Sequence, residues 1–325
     1  MDALPHNPII ESYLDYLSAV RGFSENSIQS YEYDLILFFK YLKIRFNKVP
    51  KEMPFKNIPY SDIDLSLSTQ VQLIDLYAFL RFLSKERDNT DYGRSRKVSV
   101  LRSFFTYLSN KEHLLPHNPT DELENPKLPK HQPAYLSLEE SKHLLDTIDG
   151  RNKMRDYAII TVLLNCGIRL SELTGIRIND IKEDTIRVTG KGDKQRTIYL
   201  NQAVLDALSD YLLLRKAENT MDIPWLFVSE RKQQMSNRAV QHMVKKHIIK
   251  AGLDPDRISV HKLRHTAATL MYQYGHADIR SLQQILGHES VATTEIYTHL
   301  DDQSLYETIQ NNPLASMQKK DEKEE

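Results

Sequence analysis

The chain has 325 residues, which is enough for two ordinary domains. Its hydrophobic fraction of 40% and charged fraction of 27% fit a globular protein, and we find neither an apolar run that could span a bilayer nor a secretory signal. A net charge of −1 excludes a protein that binds polyanions through its overall charge, and a single cysteine excludes an internal disulfide. These features predict a cytoplasmic protein.

The first part of the chain is predicted to be a small helical domain. Apolar residues recur at helical spacing in four segments, 9–20, 24–42, 70–83 and 97–108. The stretch 44–67 is interrupted by proline and lysine, and it predicts a long loop. An aromatic stripe near the end of the fourth segment is more typical of a core than of a platform for stacking bases. We predict a four-helix domain over residues 1–115.

A proline-rich segment separates this domain from the next. Five prolines lie between Pro116 and Pro133, a density that a helix does not tolerate. We predict a semi-extended linker over residues 116–134. Ser137 and Glu140 then have the spacing of a capping box and indicate the first helix of a second domain, which we place at 135–312.

The second domain is predicted to be rich in helices with a small antiparallel sheet, so the fold class is mainly α with two domains. A Gly-Lys-Gly-Asp turn joins two short strands, 185–188 and 196–200. Cys166 ends an apolar helix and is expected to be a buried, inert thiol. A charged, disordered tail is predicted for 313–325. The predicted helices of this domain are 138–148, 153–166, 203–216, 236–250, 261–274, 278–286 and 291–297.

Arg169 is the first candidate for a role in chemistry. It follows an apolar helix and a glycine, in the sequence Gly-Ile-Arg-Leu-Ser-Glu-Leu. A guanidinium group matches two phosphate oxygens at once, so this arginine could bind a phosphodiester. The alternative is a surface arginine that closes a helix and pairs with Glu172, three residues along the chain.

His261 and Arg264 are three residues apart on a predicted helix and therefore lie on one face, where they can converge on one phosphate. His265 shares that face, which opens a metal-site interpretation. No glutamate follows His261 as a metalloprotease helix requires, and no carboxylate or cysteine cluster completes a ligand set. We therefore predict no metal.

Three further residue types suit chemistry on phosphate. Lys191 lies in the turn of the predicted hairpin, where flanking glycines allow a phosphate to approach the backbone, and Lys194 on the same turn is its competitor. His288 follows Gly287, and Tyr297 comes nine residues after that histidine. Imidazoles move protons near neutral pH, and a phenolic oxygen can act as a nucleophile.

In this order and spacing the motif residues resemble those of the tyrosine recombinases, the phage integrase family, and its Xer-type members in particular. The resemblance implies site-specific DNA recombination, in which Tyr297 attacks a DNA phosphate and forms a 3′-phosphotyrosyl bond. It further implies that Lys191 protonates the leaving 5′ oxygen and that no metal or other cofactor is needed. The catalytic set that it implies is Arg169, Lys191, His261, Arg264, His288 and Tyr297.

Basic residues outside this set are candidate DNA contacts, although a charge run is more often a solvated helix face. Three clusters flank the motif residues, and one of them lies on the predicted helix 236–250 together with a glutamine. The predicted DNA-binding residues are Arg94, Arg96, Lys97, Lys194, Arg196, Arg238, Gln241, Lys245 and Lys246.

The resemblance also implies partners. These are a double-stranded DNA target site and four protomers on two sites, either identical or including a paralogue, which donate a C-terminal helix to one another. Residues 302–311 could be that helix, and an ordinary terminal helix packed on its own domain is the alternative. Such a protein would be associated with the nucleoid.

Other functional classes remain as alternatives. A type IB topoisomerase uses the same chemistry but reseals the same strand. A DNA-binding regulator would lack one of the catalytic residues, and a metal-dependent nuclease would lose activity in chelator. Chromosome-dimer resolution, plasmid resolution and transposition of a mobile element all fit the motifs.

Overall fold

The computed structural model describes residues 7–50, 52–128, 134–275 and 277–287, with the backbone alone for Lys191. The chain divides into two compact units, Met1–Lys130 and His131–Glu325. The division falls inside the segment predicted as a linker, and the finer domain limits stay predictions. Among the described residues, no helix combines the length and the apolar character that crossing a bilayer requires.

The first unit is a helical bundle around an aromatic core. The rings of Phe38 and Phe39 meet those of Phe105 and Phe104 edge to face, and all four side chains are buried. The core interpretation of the aromatic stripe is therefore confirmed. The described part of the unit has four long α-helices and a short one: α1 (Pro8–Ala19), α2 (Glu25–Arg45), α3 (Leu65–Thr69), α4 (Leu73–Glu86) and α5 (Asp91–Asn110).

Buried polar side chains fix the long loop between α2 and α3. Asn7 caps the start of α1 and donates from its amide to the carbonyl of Ile63 at 2.8 Å. Lys43 is 4% exposed, donates to the carbonyl of Pro59 at 2.9 Å, and forms an ion pair with Asp62. Because these partners are loop residues, the predicted loop is an integral part of the first unit.

Part of the predicted linker packs on the first unit. Leu123 is 1% exposed in the aromatic core, and Arg102 of α5 donates to its backbone carbonyl. This packing could not be predicted from sequence, because a single leucine between prolines has no period that reveals which side faces a core.

The second unit contains seven helices and a three-stranded antiparallel sheet among its described residues. Its strands are β1 (Ile181–Lys182), β2 (Thr185–Thr189) and β3 (Gln195–Tyr199), in the order β1-β2-β3. The helices are α6 (Leu138–Asp146), α7 (Lys153–Cys166), α8 (Leu170–Gly175), α9 (Gln202–Ala217), α10 (Asn237–Lys250), α11 (Val260–Tyr274) and α12 (Ile279–Leu286). The mainly helical fold class with a small antiparallel sheet is confirmed.

Helix α7 forms the centre of the second unit and packs against α9 and α11. Its apolar residues lie all round the helix, so nearly the whole of it is buried. Cys166 at its end is 3% exposed, and burial raises the pKa of its thiol to about 12. The low exposure confirms the predicted buried thiol, and at such a pKa the thiol stays protonated near neutral pH.

The predicted capping box at the start of this unit is confirmed. The Ser137 hydroxyl accepts from the Glu140 backbone N–H at 3.1 Å, and the Glu140 carboxylate accepts from the Ser137 N–H at 2.8 Å. Next to it, the N–H of Leu136 donates to the hydroxyl of Thr266 at 2.9 Å, which joins the first residues of the unit to α11.

Candidate active site

Arg169 lies where α7 turns into α8. Gly167 ends α7 with a φ of 58°, a left-handed conformation that glycine adopts without strain. Arg169 is then the N-cap residue of α8, and its backbone N–H donates to the Glu172 carboxylate at 2.7 Å. Its guanidinium donates to the same carboxylate at 3.0 Å and to the carbonyl of Gly287 at 2.7 Å. The pairing with Glu172 that belonged to the alternative interpretation is therefore present, and the phosphate-binding role of Arg169 stays a prediction.

Arg264 projects from α11 toward the same place. It is 3% exposed and donates to the carbonyl of Gly167 at 2.8 Å and to that of Leu286 at 2.7 Å. These acceptors lie at the end of α7 and at the end of α12. Since Arg169 bonds Gly287, the two arginines bind consecutive carbonyl groups and are brought close together.

His261 lies one turn before Arg264 on α11, as predicted. Partial desolvation lowers its pKa, and the positive charges of Arg264, Lys262 and Arg169 lower it further. The ring is therefore neutral near pH 7 and can accept a proton. The ring of His265 meets it edge to face, with the ring centres 4.6 Å apart. No group of three metal-ligating side chains occurs in the part of the chain that the structure describes.

An open cleft of about 670 Å³ joins these residues. Arg169, His261 and Arg264 line one part of it, and Gln241 and Lys245 of α10 line another. Helix α10 begins at the predicted cap, because the Ser236 hydroxyl accepts from the Ala239 N–H at 3.2 Å. The cleft thus places three residues of the predicted catalytic set and two of the predicted DNA contacts around one space.

The predicted hairpin is present, with Ile186 opposite Ile198 and Val188 opposite Arg196. Lys191 lies in the turn, within a short 3-10 helix, and the N–H of Gly190 donates to the carbonyl of Lys194 at 2.8 Å to close it. Lys194 is exposed. The side chain of Lys191 is outside the described set, so its catalytic role stays a prediction.

Arg196 on β3 is engaged inside the protein. Its guanidinium donates to both oxygens of Glu172, at 2.6 and 2.9 Å, and to the carbonyl of Ile285 at 3.2 Å. Burial by itself raises the pKa of the Glu172 carboxyl, but hydrogen bonds from Arg196 and Arg169 outweigh burial and hold the pKa below its usual value. This pairing of Arg196 with Glu172 was not predicted from the sequence. The only signal was the glutamate three residues after Arg169.

The other predicted DNA contacts divide into exposed and engaged residues. Arg238 and Lys246 are exposed on α10. In the first unit, Arg96 and Lys97 pair with the buried carboxylate of Asp34, at 2.7 and 3.3 Å. Lys97 is itself 6% exposed, and Arg94 forms an ion pair within its own helix. These contacts give Lys97 a role within the fold. The DNA contacts of Arg94, Arg96 and Lys97 stay predictions.

Two residues of the predicted catalytic set, His288 and Tyr297, lie outside the described residues. The predicted helices 291–297 and 302–311 and the tail 313–325 do so as well. The last described residue, Gly287, ends α12 with a φ of 63° and directly precedes His288. The carbonyl group that Arg169 binds therefore belongs to the peptide bond that joins Gly287 to His288.

Comparison with known proteins covers both units. Residues 134–304 match the model of the phage integrase family, and residues 10–51 match that of the phage integrase N-terminal SAM-like domain. The tyrosine recombinase XerC of Caldanaerobacter subterraneus subsp. tengcongensis is 54% identical over 315 residues, which are 97% of this chain and 89% of the relative.

Two solved structures share the fold. One is the XerH site-specific recombinase bound to a palindromic difH substrate, with a TM-score of 0.67, 23% identity, and coverage of 93% of this chain and 84% of that one. The other is a lambda integrase tetramer bound to a Holliday junction, with a TM-score of 0.62, 16% identity, and coverage of 87% and 77%. The family model spans more than half of the chain, and the XerC relative matches nearly all of it. The chain therefore belongs to the phage integrase family, as a tyrosine recombinase of the Xer type.

Proposed function

We propose that this recombinase exchanges strands between two DNA sites with Tyr297 as its nucleophile. The phenolic oxygen forms a bond to the scissile phosphorus, the bond from phosphorus to the 5′ oxygen breaks, and a 3′-phosphotyrosyl link and a 5′ hydroxyl result. The 5′ hydroxyl of a partner strand then attacks this link and releases the tyrosine. The covalent link conserves the energy of the phosphodiester, so resealing needs no ATP.

The observation that carries the proposal is the convergence of Arg169 and Arg264 beside His261 in one cleft. Negative charge grows on the phosphate oxygens in the transition state, and fixed cations stabilise it most when they need not reorganise. Both guanidiniums are already fixed by backbone carbonyl groups. A guanidinium carries five N–H donors, so contacts that orient it are compatible with a bond to phosphate.

Proton transfers complete the reaction. A tyrosine has a pKa near 10 and is a poor nucleophile at pH 7 unless a base or nearby cations help it to lose its proton. We propose that His261 accepts this proton, because its lowered pKa keeps the ring neutral. We assign to Lys191 the proton that the leaving 5′ oxygen receives, and to His288 a hydrogen bond to a non-bridging phosphate oxygen.

We further propose that α10 contacts the DNA next to the scissile phosphate. Gln241 and Lys245 support this, since both line the cleft that holds the arginines. Gln241 would contact a base and Lys245 a phosphate. Arg238 and Lys246, which are exposed on the same helix, would extend this contact along the duplex.

The assembly that we propose is a tetramer on two sites, either of identical protomers or with a paralogue. The lambda integrase, whose fold this chain shares, was solved as a tetramer on a Holliday junction. We propose that residues 302–311 form the helix that each protomer donates. A protein that acts on chromosomal sites would be found with the nucleoid.

The experiment that tests the proposal compares the unaltered protein with Tyr297→Phe on a nicked suicide substrate. We expect a covalent protein–DNA adduct on a denaturing gel for the unaltered protein and none for the variant, with DNA affinity retained. An adduct that persists in the Phe variant would contradict the assignment of the nucleophile. Relaxation of supercoiled DNA without any strand joining between two sites would instead indicate a topoisomerase.

A further inference from the structure

Three arginines meet at the carboxyl end of α12. Arg196, Arg264 and Arg169 donate to three consecutive carbonyl groups, those of Ile285, Leu286 and Gly287 respectively. We call these three carbonyl groups the α12 carbonyl end. A helix carries negative partial charge at this end, so cations are favoured there. Two of the three arginines belong to the proposed catalytic set, and Arg196 does not.

Arg196 connects parts of the site that are far apart in sequence. It stands on β3, directly after the turn that contains Lys191, and its paired residue across the sheet is Val188. Its two-pronged bond to Glu172 reaches α8, and its bond to Ile285 reaches α12. One guanidinium thus links the hairpin, the Arg169 segment and the residues that precede His288.

The packing around this guanidinium leaves little room for movement. A Cβ atom at Gly287 would lie 3.0 to 3.2 Å from three atoms of the Arg196 guanidinium. A Cβ atom at Gly190, in the hairpin, would lie 3.3 Å from an oxygen of Glu172. Glycine at both positions therefore permits the close approach of Arg196 and Glu172 to backbone.

The ion pair between Arg196 and Glu172 affects Arg169, because both arginines share the same carboxylate. Glu172 is 2% exposed and accepts hydrogen bonds from both arginines. Arg196 bonds both carboxylate oxygens, whereas the Arg169 guanidinium bonds only one. Without Arg196, the buried carboxylate would have Arg169 as its remaining cation and would draw that guanidinium away from a phosphate.

We propose that Arg196 is a positioning residue for the strand-cleavage reaction, which holds Glu172 and the α12 carbonyl end so that Arg169 keeps its charge and direction for the scissile phosphate. This inference rests on the proposed function. It replaces the DNA contact that the sequence predicted for Arg196. The residue acts through Arg169 and does not touch the reacting atoms.

The test compares Arg196→Met, Arg196→Lys and the double variant Arg196→Met with Glu172→Gln. Arg187→Met is the matched control, because Arg187 lies on the neighbouring strand and pairs with Asp180 instead. Single-turnover cleavage of a suicide substrate is measured at saturating DNA and normalised to the amplitude of active protein. We expect Arg196→Met to lose about a hundredfold in rate, as for a group misplaced by about 1 Å. Its Kd for DNA should stay within about twofold of the unaltered protein, and the control should match that protein in both.

Three further readouts separate positioning from simple loss of structure. Removing the carboxylate in the double variant frees Arg169, so we expect about tenfold of the rate to return. Arg196→Lys should stay impaired, since lysine cannot bond both carboxylate oxygens in the same plane. A substrate with a methylphosphonate at the cleavage position has no charge there, so the defect of Arg196→Met should shrink on it.

Three outcomes would overturn the inference. They are an equal defect on the charged and uncharged substrates, a loss of DNA affinity that accounts for the loss of rate, and no rescue in the double variant. If the unaltered protein itself forms no covalent adduct, the proposed function fails instead. If that protein cleaves and Arg196→Met cleaves equally well, only the inference fails.

Discussion

At the scale of single residues, the neutral state of His261 has a consequence for pH dependence. Desolvation and three neighbouring cations lower the pKa of His261 below its ordinary value of about 6.5. The folded protein therefore binds this proton less readily than the unfolded chain, and the contribution to stability is lost as pH falls through about 6.5 toward the lowered pKa. A base must be neutral, so we expect the acid limb of the cleavage rate at protein concentrations below the Kd for DNA, which reports the DNA-free protein, to have its midpoint below about pH 6.5.

The measurement is single-turnover cleavage between about pH 5 and 8. His261→Gln should flatten the acid limb and lower the rate at pH 7 by about a hundredfold. His242→Gln is the control, because His242 is exposed on α10 and does not line the cleft. A limb that survives in His261→Gln, or a midpoint at or above about 6.5, would assign the base to another group.

The two lysines of the hairpin turn can be separated by the leaving group. If Lys191 protonates the 5′ oxygen, a 5′-bridging phosphorothioate should restore cleavage by Lys191→Ala, because a thiolate leaves without a proton. Lys194→Ala should behave like the unaltered protein on both substrates. Rescue of Lys194→Ala instead would exchange the two assignments, and rescue of neither would move the acid role to another residue.

The placement of candidate site residues could be predicted from sequence where they lie in short local motifs. The spacing of His261 and Arg264 gives one helix face without any tertiary information, and the structure confirms that these two residues share a cleft with Arg169. The pair of Glu172 and Arg196 could not be foreseen. The ion pair depends on the register of the hairpin and on the position of α8 beside β3. Neither can be inferred from a short stretch of sequence.

At the scale of elements, α10 presents its polar residues on different sides, and only some face the cleft. We expect Lys245→Ala to weaken binding to every DNA sequence alike and to reduce the salt slope by about 1, because it removes one phosphate contact. Gln241→Ala should instead relax preference at one base pair by about 1–3 kcal/mol. Both effects are measured as Kd over a panel of single-base variants at two salt concentrations.

Lys216→Ala is the control for this helix, since Lys216 is exposed on α9 and does not line the cleft. It should leave preference and salt slope unchanged. If Lys245→Ala and Gln241→Ala behave like this control, α10 is away from the DNA and sequence preference must come from another part of the protein.

Element boundaries show which signals a sequence carries and which it lacks. Helix α5 begins at Asp91, six positions before the predicted start, because Thr90 caps it by accepting from Gly93 at 3.2 Å while its first turns contain no apolar stripe. Helix α8 was missed because six residues are too few to reveal a period. Strands β2 and β3 were predicted, since Ile186, Val188 and Ile198 alternate with more exposed residues, whereas the two residues of β1 are too few to show alternation.

At the scale of the whole molecule, the proposed assembly depends on the end of the chain. A truncation that removes residues 302–325 retains every residue of the proposed catalytic set. We expect it to bind a single site and to form the covalent adduct at a rate within about twofold of the full chain, because the chemistry lies before the deletion. We expect no synaptic complex of two sites, because the donated helix is gone.

Native gels and analytical ultracentrifugation on DNA measure this difference. The control is a shorter truncation that removes only residues 313–325, the predicted disordered tail, which should assemble normally. A tetramer formed by the longer truncation would mean that 302–311 packs on its own domain, and loss of adduct formation would mean that the segment supports the active site itself.

The α12 carbonyl end also connects catalysis to local folding. An eight-residue helix is marginal in isolation, and α12 is stabilised by packing Leu282 and Leu286 against α11 and by the arginines at its end. Transient unwinding of α12 would therefore remove a hydrogen bond from Arg196, Arg264 and Arg169 at the same moment, so the fraction of time in which these side chains are fully held would follow the opening free energy of this one helix. DNA that engages Arg169 and Arg264 would act as a ligand of the closed helix, and the slowing of amide hydrogen exchange in α12 would report how fully the site has assembled on its substrate.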